Sequence, residues 1–422
     1  MLGFQVHPGP FMYFELISYP FLFAAIYFEV FLLLTFLSGP ARASRNRVFS
    51  DATPTVALIV PCWNEERTIR GSVDSLLALD YPKDKLSIVV VDDGSTDNSA
   101  KELEAFKGNP RVTIVHKENG GKHTALNAGI AITDAEIVGC MDADSFVEPN
   151  ALKETVPYFE EPKVGAVTVA MSVHQPKTLI EAMQNVEYIL GIALRHILAS
   201  VNGIYVTPGP FSLYRRSIVE EVGGFRNGHN AEDMEMALRL QRNGYWIENA
   251  YKARVYAQSP KSVPSLIKQR VRWTTGFLRN VLYDYRDMVG NPAFGVLGLI
   301  VLPLGFFAIV GGIMMTFIVV YQFISDSIQT YSTTHGLPLS YLLTPRFSFD
   351  LFYFPVTVFV TLAMVAALGS VMFIIMGKHI SKTPAKLSLG VLGWIFLYGL
   401  IAPFWLIRSI ADVATGTRRP WR

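Results

Sequence analysis

Val138-Gly139-Cys140-Met141-Asp142-Ala143-Asp144-Ser145 is the stretch from which the rest of the chain can be read. An apolar run with the character of a buried strand delivers two carboxylates, one residue apart, into the loop beyond it. In an open α/β sheet, ligands collect beyond the carboxyl ends of the strands. A hard divalent cation such as Mg2+ or Mn2+, held by one or two Asp plus phosphate oxygens, keeps the rest of its shell as water. Asp142 and Asp144 are therefore a candidate metal and diphosphate seat. The plain alternative is a solvated or helix-capping loop, and the surrounding sequence decides between them.

Upstream, Val56-Ala57-Leu58-Ile59-Val60, Leu86-Ser87-Ile88-Val89-Val90-Val91 and Val112-Thr113-Ile114-Val115 are further short β-rich runs. Residues 67–79 and 99–106 between them read as helices. Strands alternating with helices imply an α/β fold with a parallel-rich, Rossmann-like sheet. A dinucleotide fingerprint is absent, because the first strand runs into Pro61-Cys62-Trp63-Asn64-Glu65-Glu66 rather than a Gly-x-Gly-x-x-Gly turn. Each strand end carries polar chemistry suited to a nucleotide. Asp92-Asp93-Gly94 offers carboxylates that can accept from a base N–H or a ribose hydroxyl, with a turn-and-cap motif as the competing reading. Asn119-Gly120-Gly121-Lys122 is a glycine-rich turn with a cation suited to phosphate.

Composition sets the frame. The chain has 422 residues, 50% hydrophobic and only 17% charged, with a net charge of +2. That is too apolar for one soluble domain, too near neutral for binding nucleic acid by bulk charge, and part of it belongs in a bilayer. No Cys/His cluster has zinc spacing, and Cys62 and Cys140 read as small hydrophobes in a reducing compartment. Residues 15–37 are long enough for the roughly 20 that span a hydrocarbon core. Arg42, Arg45 and Arg47 then place the segment after this span on the cytoplasmic side of the plasma (inner) membrane. Glu29 lies inside that span, where an ionisable group either faces the bundle or snorkels locally.

Residues 294–324, 350–376 and 387–410 are also apolar enough to span, and Lys378, Lys382 and Lys386 suit a cytoplasmic loop between the last two. Arg418, Arg419 and Arg422 then fall outside, against the charge bias. Either the final span is broken, as Gly399 and Pro403 allow, or the segment with Pro303 and Gly311-Gly312 is more than one element. Leu179, Met183, Val186, Leu190, Leu194 and Ile197 recur at helical spacing and read as an interfacial helix, with packing against the α/β domain the expected use of its apolar face. Residues 265–285 form a second, basic amphipathic stretch suited to a membrane surface.

Downstream of the aspartates come Val206-Thr207-Pro208-Gly209-Pro210-Phe211, Asn230-Ala231-Glu232-Asp233 and Gln269-Arg270-Val271-Arg272-Trp273, in that order. The ordered set, over residues 54–280, resembles the inverting, membrane-embedded glycosyltransferases of family 2, the group of cellulose, chitin, hyaluronan and poly-N-acetylglucosamine synthases. The resemblance implies a nucleotide-sugar donor bound through Glu65, Asp92, Asp93, Lys122, Asp142, Gln269 and Arg272. It implies a divalent cation on Asp142 and Asp144, and an acceptor near Glu232 and Trp273 at a channel entrance. Asp233, ahead of an apolar-periodic helix, is the expected base for the acceptor hydroxyl, although a helix N-terminus also favours acidic residues. The family often has Thr before the Glu-Asp pair, and this chain has Ala231.

The expected activity is transfer from a uridine diphosphate sugar, UDP-N-acetylglucosamine first, to a growing β-linked polysaccharide guided across the membrane. Membrane lipids and an accessory membrane subunit are the further partners expected. A single transfer to a lipid acceptor, as in enzymes resembling ceramide glucosyltransferase, is the alternative; a non-catalytic scaffold or a transporter is more remote. The expected organisation is a membrane helix and linker over 1–50, a catalytic domain over 51–260, an interfacial helix over 261–290 and a membrane region over 291–422.

Overall fold

The computed structural model describes residues 10–39, 53–334, 357–383 and 388–417. Arg42, Arg45, Arg47, Lys386, Arg418, Arg419 and Arg422, on which the expected orientation of the membrane helices rests, lie outside the described residues. The chain falls into two compact units, Met1–Phe31 with Leu304–Ser370, and Leu32–Pro303 with Val371–Arg422.

The second unit contains the sheet. After α1 (Pro10–Leu37) come β1 (Val56–Cys62), α2 (Ile69–Leu77), β2 (Leu86–Asp92), α3 (Ser99–Leu103), β3 (Val112–His116), α4 (Lys122–Ala131) and β4 (Ile137–Cys140). The strands, α2 and α3 match the expected ones to within two residues at most ends, whereas α4 was not expected, its first residues having read as a glycine-rich turn. Next in the chain are β5 (Ser145–Val147), α5 (Ala151–Thr155), β6 (Val164–Val173), α6 (Leu179–Ser200), β7 (Ser212–Arg215), α7 (Arg216–Glu221), α8 (Glu232–Arg242), β8 (Trp246–Ala257) and α9 (Val263–Arg279).

The eight strands lie in the order β3-β2-β1-β4-β7-β6-β8-β5. β1 pairs in parallel with β2 and β4, and β2 with β3, so four carboxyl ends line up along one edge. β7 enters antiparallel to β4 and β6, while β6 and β8 run parallel. Both faces are covered, which is why β1 reads as a continuous apolar run: Leu58 and Val60 are fully buried.

Four helices among the described residues are long and apolar enough to cross a membrane: Leu16–Leu37, Leu297–Thr333, Val358–Ser381 and Leu389–Ala414. The segment with Pro303 and Gly311-Gly312 forms one span, opening with a π-turn at Leu297–Val301. The final span likewise runs as one helix, Leu389–Ala414, with a π-turn at Trp394–Tyr398 between Ser388–Gly393 and Gly399–Ala414. Within the first unit, Glu29 accepts a hydrogen bond from Ser370 at 2.9 Å, so it faces a neighbouring helix rather than snorkelling.

Within the second unit, α6 starts with a capping box in which Thr178 and Glu181 satisfy each other's backbone N–H, a feature that contributes about 1 kcal/mol. Its apolar face is divided. Val186, Ile189 and Ile192 cluster with Ala170 of β6 and with Ile374. Gly377, Gly390 and Gly393 of the carboxyl-terminal helices also approach α6 closely, where any Cβ would collide with it. The same helix therefore packs on the sheet and on membrane-type helices. α9 likewise runs along Gly399–Ala414.

Candidate active site

The two chemical centres meet through one lysine. Gly121, at φ 88°, turns the chain so that Lys122 opens α4, and the Lys122 side chain is 9% exposed. Its Nζ lies 2.7 Å from Asp142 beyond β4 and 2.9 Å from Glu232 at the start of α8. Those residues are 20 and 110 positions away in the chain. Gly209, in the segment before β7, covers the pair: a Cβ there would lie 3.0 Å from the Asp142 carboxylate and collide with Lys122 Nζ. Only a residue without a side chain lets the main chain pass this close.

Charge in the cluster is divided unequally. Burial favours a neutral Lys122, but Asp142 and then Glu232 outweigh it and hold the ammonium well above its ordinary pKa. Burial also favours a neutral Glu232, yet Lys122 and Arg272 keep its carboxyl below the usual range. Asp233 goes the other way. Burial first, and then the like charge of Glu232, push it up to about 6, against the opposing pull of Lys122 and Arg272. Its backbone is fixed as well: Thr207 Oγ1 donates to the Asp233 carbonyl at 2.7 Å, and Tyr214 donates to Thr207 at 2.9 Å. The Asp233 carboxylate accepts from the Met234 N–H at 2.8 Å. Thr207 stands in a motif that the sequence singled out without assigning it a role, and Tyr214 was not singled out at all, because the contact that matters, Thr207 to Asp233, spans 26 positions.

Arg272 donates to the Asn230 carbonyl at 3.0 Å, which brings α9 against the segment carrying Glu232 and Asp233. Ala231, 3% exposed, packs against Gly276 of α9 in that contact. Trp273 borders the main core, with the Arg270 guanidinium stacked over its ring at 4.2 Å. Arg270 in turn pairs with Glu187 of α6 at 2.6 Å and with the Tyr398 hydroxyl at 3.2 Å. The Gln269 side-chain oxygen is buried without a hydrogen-bond partner among the described residues. Glu187 and Tyr398 are the other residues that sequence reasoning did not single out; nothing local marks a partner 83 or 128 positions away.

The remaining candidates sit at the ends of β1 and β2. Asp93, 2% exposed, accepts from the Gly120 N–H at 3.1 Å, the Gly121 N–H at 2.9 Å and Lys117 Nζ at 2.5 Å. It holds the glycine turn that positions Lys122. Asp92 accepts from the Ser95 N–H at 3.0 Å and lies 2.9 Å from His116 Nδ1. Burial would raise its pKa, but those hydrogen bonds lower it overall. Glu65 accepts from Thr68 Oγ1 at 2.9 Å. The structure thus gathers Lys122, Asp142, Glu232, Asp233 and Arg272 around one centre, while Asp92, Asp93 and Glu65 occupy the adjoining strand ends.

The donor set for a cation is two hard oxygen ligands. Among the described residues no group of three or more His, Cys, Asp or Glu could hold a metal. Asp142 and Asp144 alone fit a Mg2+ or Mn2+ that takes its remaining ligands from water and phosphate oxygens. The two cysteines are buried and free, and burial pushes the Cys62 thiol up to about 12, so neither is a nucleophile.

A family model described as "Glycosyltransferase like family 2" matches residues 54–276. The chain is 31% identical over 288 residues to the poly-beta-1,6-N-acetyl-D-glucosamine synthase of Staphylococcus aureus, covering 66% of this chain and 68% of that one. It is 31% identical over 234 residues to the enzyme of the same name from Staphylococcus epidermidis, covering 54% and 56%. Among solved structures, the mannosyltransferase PcManGT of Pyrobaculum calidifontis, in complex with GDP-Man and Mn2+, shares the fold at a TM-score of 0.62. The identity there is 20%, over 91% of this chain and 98% of that one.

Proposed function

The chain belongs to glycosyltransferase family 2, and from that premise we propose that it transfers N-acetylglucosamine from UDP-N-acetylglucosamine to a growing β-linked polysaccharide. The choice of sugar and product rests on the staphylococcal relatives by name. The observation that supports the chemistry is the divided carboxylate pair. Asp233, at about 6, is a carboxylate near neutral pH yet basic enough to take the acceptor hydroxyl proton as the glycosidic bond forms. Glu232 stays ionised against Lys122 and holds that cation beside Asp142. Attack by the acceptor on the face opposite the leaving diphosphate inverts the anomeric carbon.

Arg272, close enough to both acids to lower them, would bind the diphosphate as a planar fork. Lys122 would meet the developing negative charge as a point cation. A divalent cation on Asp142 and Asp144 would supply Lewis-acid neutralisation of the leaving group when bound. Trp273, held under Arg270, offers a flat face for the acceptor sugar. The catalytic domain would face the cytoplasm, with the membrane helices guiding the product outward.

The test is product analysis on the full chain reconstituted in lipid with Mg2+ or Mn2+ and a panel of labelled nucleotide sugars. The expected result is a high-mass ladder from UDP-N-acetylglucosamine. A single sugar on a lipid would sink the polymer reading and leave the transferase.

A further inference from the structure

A cavity of about 630 Å3 opens beside the turn that leads into Glu232 and Asp233, and neither acid lines it, nor do Lys122, Asp142 and Asp144. Its size suits a small-molecule ligand. Its walls carry Arg226, Arg242 and Arg279 against two acids, Glu235 and Asp284, and both acids are already engaged. Glu235 accepts from Arg239 at 2.8 Å and from the Tyr285 hydroxyl at 2.6 Å, and Asp284 lies 2.9 Å from His229 Nε2.

The arginines are committed less fully. Arg279 is anchored to the carbonyls of Asp412 and Thr417. Arg242 reaches Asp287 at 3.1 Å with both side chains nearly half exposed, and its guanidinium stands over the Tyr285 ring. Arg226 is exposed, stands near enough to the buried Arg239 to oppose its charge, and has no hydrogen bond or ion pair among the described residues. A polar cavity lined by arginines, with its acids already engaged, suits phosphate.

The turn itself is under strain. Gly228, His229 and Asn230 have φ values of 54°, 59° and 65°, a left-handed run in which two residues carry side chains. Asn tolerates this region, so the cost, roughly 1–2 kcal/mol, falls chiefly on His229, and such a conformation persists where surrounding contacts determine it. The contacts here are Asn280 to the Gly228 carbonyl, Asp284 to His229 and Arg272 to the Asn230 carbonyl.

We propose that this cavity binds a phosphate-bearing ligand through Arg226 and Arg242, and that the ligand sets the position of the turn from which Asp233 projects. The binding half stands independently of the proposed reaction; the effect on turnover rests on Asp233 acting there as the base.

The experiment is calorimetric titration of inorganic pyrophosphate into the full chain in neutral-lipid nanodiscs with EDTA present. The expected result is binding that weakens about tenfold or more in Arg226→Glu and in Arg242→Gln, with the thermal midpoint of Arg226→Glu unchanged because its side chain is exposed and unpaired. Lys122→Met, which removes the cation between Asp142 and Glu232, is expected to retain the Arg226-dependent binding. Loss of binding in Lys122→Met with none in Arg226→Glu would place the anion at the catalytic cluster and overturn the proposal.

A second arm replaces the neutral lipid with phosphatidylglycerol and measures transfer. A rise in the natural chain that is absent in Arg226→Glu identifies a lipid headgroup as the phosphate source. A response to soluble pyrophosphate alone identifies a free ligand, and no Arg226-dependent response in either arm overturns the proposal. Arg226-dependent binding without turnover of any donor would count against the transferase reading alone.

Discussion

Asp92-Asp93 and Glu232-Asp233 are both pairs of adjacent acids at the edge of the same sheet unit, and they have opposite fates. Asp93 spends its carboxylate on two backbone N–H groups and Lys117, and Asp92 spends its own on Ser95 and His116. Hydrogen bonds to the ionised form lower Asp92. Glu232 and Asp233 instead share the charge of Lys122 and Arg272, and Asp233 is left above its ordinary value. One pair builds the turn that delivers Lys122; the other retains a proton affinity that chemistry can use. Adjacent acids are held ionised where N–H groups surround them, and one of them is raised where burial and a like charge do so.

The largest expected break in this comparison is Asp233→Asn. Donor binding is expected to persist in a titration of labelled nucleotide sugar, while transfer falls about 100-fold to 10,000-fold, the usual contribution of a positioned base. Transfer by that variant near the natural rate would move the base elsewhere.

A smaller effect, and a sharper one, concerns pH. As the proposed base, Asp233 would work only when deprotonated, so the rate under saturating substrate is expected to fall as pH drops through about 6. Lys122 lowers Asp233, so Lys122→Met should move that acid limb to higher pH besides weakening donor binding. A limb that stays put or moves down would separate Lys122 from the base.

The smallest effect is expected on the other pair. Asp93→Asn keeps the shape but loses the charge that holds Lys117 and the glycine turn, so a denaturant titration should show a loss of about 1–3 kcal/mol. The acid limb of the rate should keep its position. A shift of that limb without a loss of stability would make Asp93 part of the chemistry.

Much of the fold was legible because its signals are local. The runs ending at Val60, Val91, Val115 and Gly139 have β-branched composition and strand length, and helical residues lie between them, which implies a parallel-rich sheet. The four membrane-length helices were legible from apolar length alone. Antiparallel β7 beside β4 was not, since a four-residue strand carries too little periodicity to assign its direction. Nor were the π-turns at Leu297–Val301 and Trp394–Tyr398, which only the backbone hydrogen-bond pattern reveals.

The amino-acid sequence by itself determined which residue types stand at the strand ends, and in which order the motifs at 142–144, 230–233 and 269–273 occur. It also marked Glu232 and Asp233 as acids at the start of a helix. Which pair is satisfied by hydrogen bonds and which is left with one member raised was decided only by the tertiary structure. A pKa depends on burial and on charges within a few ångströms, and Lys122, Asp142, Glu232 and Arg272 become neighbours only when β4, α4, α8 and α9 pack together. The same holds for Arg270, whose partners Glu187, Trp273 and Tyr398 come from two further elements besides its own helix.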